Sequence, residues 1–259
     1  MATFRRATIA AALIVTPPTA VVWLLSGRPA ISAAAAGWCV LSVTFELAYL
    51  WLLSAAYRRG ELSAVYPIAR GSAPLLAVGA GLGLLNERLS GAQLAGVALL
   101  LLGILAVTLS QASGRATVPA LLTGVAIAAY TAVDRVGVRL STPWLYGWLL
   151  VVLLAISVPV SMWVADRLAA TRGVVRETGG LPLPGLGQAV VIGLFMWCGY
   201  LLILWALSLA PLSVVAPVRE TAVVGVALWG VWRLHERKGA AMKLTGALAT
   251  LVGIALLAF

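Results

Sequence analysis

The chain has 259 residues, of which 62% are hydrophobic and only 10% charged, and its mean hydropathy is +1.05. Soluble domains carry about a quarter charged residues, so these values exclude an ordinary soluble fold. A net charge of +10 would suit nucleic acid, but the basic residues fall singly or in pairs between apolar spans, as topology signals do, and no nucleic-acid partner is expected.

About 20 apolar residues cross a hydrocarbon core as a helix. That ruler predicts nine helices, at residues 8–25, 31–57, 62–86, 91–110, 118–139, 144–166, 187–209, 212–232 and 240–259. Arg5-Arg6 precede the first, but its apolar run continues past Pro17-Pro18 to Leu25 without a small-residue cleavage site. It reads as a retained helix, not a signal peptide. Short connections carry Gly, Pro, Asn and Ser, while residues 167–186 read as an irregular surface loop. Trp23, Trp144, Trp163 and Trp232 fall near span ends, as interfacial anchors do. Gly79 and Gly83, four apart, predict a close helix approach in the third span. Cys39 and Cys198 lie in apolar spans and read as small buried packing residues.

Residues 62–88 (LSAVYPIARGSAPLLAVGAGLGLLNER) and 212–237 (LSVVAPVRETAVVGVALWGVWRLHER) are variants of one pattern. Leu62, Ser63, Val65 and Pro67 fall on Leu212, Ser213, Val215 and Pro217. Downstream, Gly96 and Gly103 fall on Gly246 and Gly253. A duplicated transporter is the expected architecture, with one repeat in residues 1–113 and the second in 114–259. The span at 118–139 has its counterpart before Met1, so the duplicated unit has five helices and the first copy lacks its own first helix. Either the chain is a nine-helix variant or the recorded start codon lies downstream of the true one, and the second is expected.

A unit with an odd number of helices inserts its second copy upside down. Loops on the Met1 side hold twelve Arg or Lys residues, against Arg28, Arg88, Arg135 and Arg139 on the other. The excess places the Met1 side in the cytoplasm of a cell whose cytoplasmic membrane holds the chain. A half-turn axis in the membrane plane is then expected to relate residues 31–110 to 187–259.

Neither CxxC spacing nor a Cys/His cluster is present, and His235 is the only histidine, so no metal and no cofactor is expected. HExxH, GxGD and nucleotide-binding motifs are absent as well. An enzyme is not expected, and any transport draws on a gradient.

Glu46, Arg70, Arg219 and Glu220 are ionisable residues inside spans. A charge at the bilayer centre costs about 3 kcal/mol, so each implies a partner or a water-filled cavity. Pro67 and Pro217 lie just before the arginines, and a proline frees the carbonyl four positions back. Loosened backbone beside a buried cation suits a substrate site at a repeat interface. Arg70, Arg219, Glu46 and Glu220 are therefore the leading candidates to line such a site; snorkelling or a purely structural ion pair is the alternative for each. Glu220 points about 100° from Arg219 on a helix, which puts its partner on another helix. Tyr66, Tyr130, Tyr200 and Asp134 are further candidates, and Tyr130 and Asp134, one turn apart, read as a pair lining one cavity.

The segments LSAVYPIARGSAPLL, NERLS and QLAGVALLLLGILAV, with APLSVVAPVRET through HERKGAAMKLTGALATLVGIALL, resemble the EamA-type unit of the drug/metabolite transporter superfamily. The resemblance covers essentially the whole chain. It implies an all-α membrane protein with nine transmembrane helices, from a ten-helix inverted-repeat (5+5) transporter fold lacking its first helix. It further implies movement of a small polar or amphipathic solute across the cytoplasmic membrane by alternating access. The two arginines favour a solute with an anionic group, membrane lipid surrounds the helices, and a homodimer is compatible. A flippase for lipids or lipid-linked sugars is the alternative within the superfamily, and a non-transporting membrane scaffold the alternative outside it.

Overall fold

The computed structural model describes residues 2–59, 62–109, 117–171, 185–221 and 240–257. Among them all regular structure is helical: α1 (Ala2–Leu25), α2 (Ala33–Tyr57), α3 (Leu62–Gly83), α4 (Gly91–Leu109), α5 (Thr117–Val138), α6 (Pro143–Thr171), α7 (Leu186–Leu209), α8 (Leu212–Glu220) and α9 (Ala240–Leu256). Within these residues α1, α2, α5, α6 and α7 are long and apolar enough to cross a membrane, with shorter apolar stretches at Gly91–Leu105 and Thr245–Leu256. Large apolar side chains face outward, among them Phe195, Leu202 and Leu209 of α7, Leu102 of α4 and Trp163 of α6. In lipid such a surface needs no polar cover. Hydroxyls within the helices donate back to carbonyls three or four residues earlier, as at Thr16, Ser72, Thr123, Thr131, Ser157 and Thr250, so few polar groups meet an apolar surround unpaired.

Several expected boundaries move, among them the end of α3, at Gly83 instead of residue 86. Helix α1 starts at Ala2 instead of residue 8, and α6 runs on to Thr171 through part of the stretch expected as loop. Arg167, Leu168 and Ala169-Ala170 are strong helix formers, and nothing before Gly173 interrupts them. His235, Trp232 and the Glu236-Arg237 pair lie outside the described residues, as does residue 172 onward through 184. Arg135, counted above among loop charges, is buried inside α5, which leaves Arg28, Arg88 and Arg139 on that side.

The chain divides into two compact units, with boundaries falling inside α2 and α5 and before the last residue of α7. The first contains residues 1–47 and 133–208. In it α1 packs on α6, where Ala11 and Val15 meet Val151, flanked by Trp148, Leu194 and Trp197. The Trp148 indole donates to Thr16 Oγ1 at 3.1 Å. Gly193 of α7 lies so close to the Ala7 carbonyl that no side chain would fit. Cys39 is buried as expected, whereas Cys198 is exposed on α7, which corrects the expectation for that residue.

The second unit contains residues 48–132 and 209–259. Its seam between α4 and α9 is built on glycine. A Cβ on Gly96 would sit 2.8 Å from the Gly253 carbonyl oxygen, and one on Gly103 would sit 2.5 Å from that of Gly246. The two helices therefore run antiparallel and nearly touch. Gly79 and Gly83, expected to provide a close approach, do not: a Cβ at either would meet open space. Gly124 of α5 instead lets that helix approach Ser72 and the Ala69 carbonyl of α3.

A turn after α3 positions a carboxylate. Asn86 adopts a left-handed conformation (φ 51°), and the Glu87 N–H then bonds the Gly81 carbonyl at 2.9 Å. The reversal brings the Glu87 carboxylate onto the first turn of α8, where it accepts from the backbone N–H of Leu212 at 2.7 Å, from that of Ser213 at 2.9 Å, and from the Ser213 hydroxyl. The N-cap residue Pro211 makes no side-chain cap of its own, so Glu87 supplies the negative charge that this helix end favours. Gly81 leaves room for the contact. Glu87→Ala should cost about 1–2 kcal/mol, as a lost cap does, and lower the thermal midpoint of the detergent-solubilised protein by several degrees.

Candidate functional site

In the second unit the charged candidates come together. Arg70 of α3 donates from Nη1 to Glu220 Oε1 at 3.1 Å, so the partner that Glu220 needs does stand on another helix. The neighbouring Arg219 also reaches it, with Nε 3.6 Å from the same oxygen despite the divergence expected of adjacent helical residues. One carboxylate thus lies between two guanidinium groups. Arg219 extends further: Nη2 donates to Tyr130 Oη at 2.8 Å, Nη1 to Thr131 Oγ1 at 3.4 Å, and the guanidinium lies 5.6 Å from the Tyr130 ring centroid. Tyr49 closes the group, its ring edge-on to Tyr130 at 6.0 Å between centroids.

Arg70 side-chain exposure is 25%, against 13% for Arg219 and 5% for Glu220. The carboxylate is therefore the buried centre, and Arg70 keeps the widest access. Helix α8 continues across Pro217, which is buried, to reach Glu220. Tyr66 lies within α3, but its side chain is outside the described residues.

The first unit holds a second polar group. Asp134 is fully buried; Tyr146 Oη donates to its Oδ1 at 3.0 Å, and the Tyr200 hydroxyl donates to its Oδ2. Arg135 donates to the Leu207 carbonyl at 2.6 Å. Glu46 and Cys39 are both buried on α2, and the charges of Glu46 and Asp134 each act on Cys39 and on Tyr146. Tyr130 and Asp134 thus have different partners: the first is engaged by Arg219, the second by two tyrosines.

Sequence reasoning missed Tyr49, Thr131, Tyr146 and Glu87. Tyr146 left one signal, since it begins α6 three residues after Pro143 and faces Gly137, where a Cβ would collide with its hydroxyl at 2.5 Å.

The family model for EamA-like transporters matches residues 115–259, more than half of the chain. The chain belongs to the EamA-like transporter family. A solved structure described as "Crystal structure of protein" superposes on it with a TM-score of 0.65 at 17% identity, covering all of this chain and 88% of that one. At that identity the likeness shows a shared fold alone. No curated protein matches the chain. As an EamA-family member of the drug/metabolite transporter superfamily, it is a helical, multi-pass membrane protein.

Proposed function

We propose that this EamA-family chain moves a small polar metabolite bearing an anionic group across the cytoplasmic membrane by gradient-driven alternating access, with Arg70 and Arg219 holding the anion. The observation that carries this reading is the group formed by Arg70, Glu220, Arg219 and Tyr130 inside apolar helices. Two guanidinium groups sharing one carboxylate can accept a second one: the anion of the solute takes over hydrogen bonds that Glu220 holds in its absence. Tyr130 fixes the Arg219 fork, and Tyr49 sets the Tyr130 ring, so the cation is oriented before the solute arrives. Glu46, Asp134 and Tyr200 belong in this proposal to ion coupling and not to the anion grip.

The same reading takes the chain as two inverted repeats, 1–113 and 114–259, with the Met1 side cytoplasmic. Reciprocal contacts support it. Arg70 and Glu220 stand 150 residues apart, at equivalent positions of the repeat, and are bonded to each other. Gly96 meets Gly253, while Gly103 meets Gly246, the equivalent of Gly96. Two copies related by a half turn make contacts of this kind, each pair mirrored by its equivalent.

Counterflow into proteoliposomes, screened with radiolabelled carboxylate and phosphonate metabolites, tests the function. Arg219→Gln should reduce uptake of an accepted anion at least tenfold per folded molecule, with uptake normalised to the monodisperse fraction. Wild-type flux in both Arg219→Gln and Arg70→Gln would reduce the arginines to structural anchors.

A further inference from the structure

We propose that the cavity enclosed by α1, α6 and the α1–α2 connection binds one anionic phospholipid, with an acyl chain inside the cavity and the phosphate on Arg28. The inference stands on the first unit alone and does not depend on the transport reading.

Helices α1 and α6 meet at Ala11, Val15 and Val151, and further along α1 they enclose a cavity of about 380 Å³. Thr16, Ala20 and Trp23 line it from α1, Leu145 and Trp148 from α6, and Pro29 from the connection to α2. That volume lies in the range of small-ligand sites. Ala20 and Trp23 are exposed, as are the apolar Val21, Val22, Leu24 and Leu25 around them, so the cavity is reached from a surface that faces lipid. Its walls offer few hydrogen bonds. Trp23 Nε1 donates to the Pro29 carbonyl at 2.9 Å and Trp148 Nε1 to Thr16 Oγ1 at 3.1 Å, while the Thr16 hydroxyl donates to the Ala12 carbonyl at 2.6 Å. Both indoles therefore have ring carbon left to offer an occupant, and Thr19 adds one hydroxyl. Water settles in a cavity where it finds two to four polar partners, so these walls do not suit it. Hydrocarbon suits them, and an acyl chain restores the dispersion contacts that an unfilled space beside lipid forfeits.

Arg28 supplies the independent sign, and Trp23 ties it to the cavity. Gly27 (φ 77°) and Arg28 (φ 56°) both take the left-handed conformation, and the Arg28 N–H bonds the Trp23 carbonyl at 2.9 Å. One tryptophan thus lines the cavity, holds the Arg28 backbone through its carbonyl and holds Pro29 through its indole. Arg28 is exposed, and its guanidinium makes no hydrogen bond or ion pair among the described residues. No Asp or Glu occurs in residues 1–45 or 135–165, the segments that carry every lining residue, so they hold no carboxylate to compete for this charge. A planar guanidinium matches the oxygens of a phosphate, and a cation at the membrane surface attracts anionic lipid. An apolar cavity beside a cation that has no anion of its own is complementary to a molecule with a hydrocarbon tail and a phosphate at its end.

Native mass spectrometry of the full chain in a non-ionic detergent, titrated with dioleoyl phosphatidylglycerol, reads the binding without requiring transport. The wild type should retain one such lipid. Dioleoyl phosphatidylcholine has the same chains but a cationic choline, and it should be held about fivefold less well, as should phosphatidylglycerol by Arg28→Asn. Arg28→Lys keeps the charge and should keep most of the retention. Asparagine takes the left-handed backbone readily, so a loss in Arg28→Asn is a loss of charge and not of the turn. Ala20→Phe puts a ring into the cavity and should abolish retention of both lipids; should that variant fail to fold, Thr19→Leu fills the same space from the next residue. Equal retention of the two lipids, or retention indifferent to Arg28→Asn, overturns the phosphate site and leaves an unselective lipid contact. Retention that survives the folded cavity-filling variants overturns the acyl site. Binding of glycerol phosphate alone at Arg28 would make it a site for a soluble anion and overturn the lipid assignment.

Discussion

The double variant Arg70→Glu, Glu220→Arg folds like the wild type and does not transport. Each single change is severe. Arg70→Glu sets a second carboxylate against Glu220, and Glu220→Arg removes the carboxylate that Arg70 and Arg219 share and adds a third guanidinium beside them. Removing one partner of a buried pair costs about 3–5 kcal/mol, and reversing its charge costs no less, so each single variant should lose most of its detergent-resistant, monodisperse fraction. The 25% exposure of the Arg70 side chain puts the Arg70 variant at the low end of that range. The swap restores one cation facing one anion across α3 and α8 at equivalent positions of the repeat, so thermal stability returns to within a few degrees of wild type. Uptake should remain more than tenfold reduced, because the accessible guanidinium has moved from α3 to the buried position on α8. Thermal unfolding followed by tryptophan fluorescence, together with counterflow on the same preparations, separates the two effects. Recovery of both stability and uptake would make the pair a structural clamp and remove Arg70 from the solute site.

How far the sequence discloses this site depends on what lipid makes expensive. Charges inside apolar spans are rare because they are costly, so Arg70, Arg219, Glu220 and Glu46 stand out in the sequence itself. The helix positions follow from the same cost, and the differences are at helix ends, the largest at the start of α1 and the end of α6. Arg70 and Glu220 stand at the 150-residue offset of the sequence repeat, but an offset gives equivalence and not contact, so their bond is not legible in the sequence. Tyr146 is harder, since a tyrosine at the start of an apolar helix reads as an interfacial anchor until Asp134 is found beneath its hydroxyl. Glu87 hides for another reason. The Asn-Glu-Arg sequence marks a helix end, yet the carboxylate serves a helix 125 residues later in the chain. The two misread features, Cys198 and the Gly79/Gly83 pair, share a cause. In a soluble helix polarity marks the outer face, but here lipid-facing and core-facing residues are equally apolar, so composition does not say which way Cys198 or Gly79 points.

That ambiguity sets up the largest expected stability effect away from the charges. Gly103→Val should prevent stable folding, whereas Gly79→Ala and Gly83→Ala should be neutral or slightly stabilising. At Gly103 a Cβ would lie 2.5 Å from the Gly246 carbonyl oxygen and 3.0 Å from the Thr250 amide nitrogen. Both are backbone atoms of α9, and that carbonyl also accepts the Thr250 hydroxyl at 2.8 Å, so it has no room to turn aside. A valine there forces α4 and α9 apart along the whole antiparallel seam, including the Gly96–Gly253 contact. Overpacking a well-fitted interior costs about 1–3 kcal/mol where side chains can yield, and a rigid backbone neighbour puts this change at or above the upper end. In lipid, close packing is the main attraction between helices, and no hydrophobic gain offsets its loss. At Gly79 and Gly83 an added methyl meets nothing within 4 Å, and in a helix Ala exceeds Gly by up to about 1 kcal/mol. Yield of monodisperse protein and the thermal midpoint after extraction rank the three variants. A Gly103→Val protein as stable as the wild type would show that α4 and α9 do not pack glycine to glycine. A collapse of Gly79→Ala would show that the third span has a tight neighbour after all.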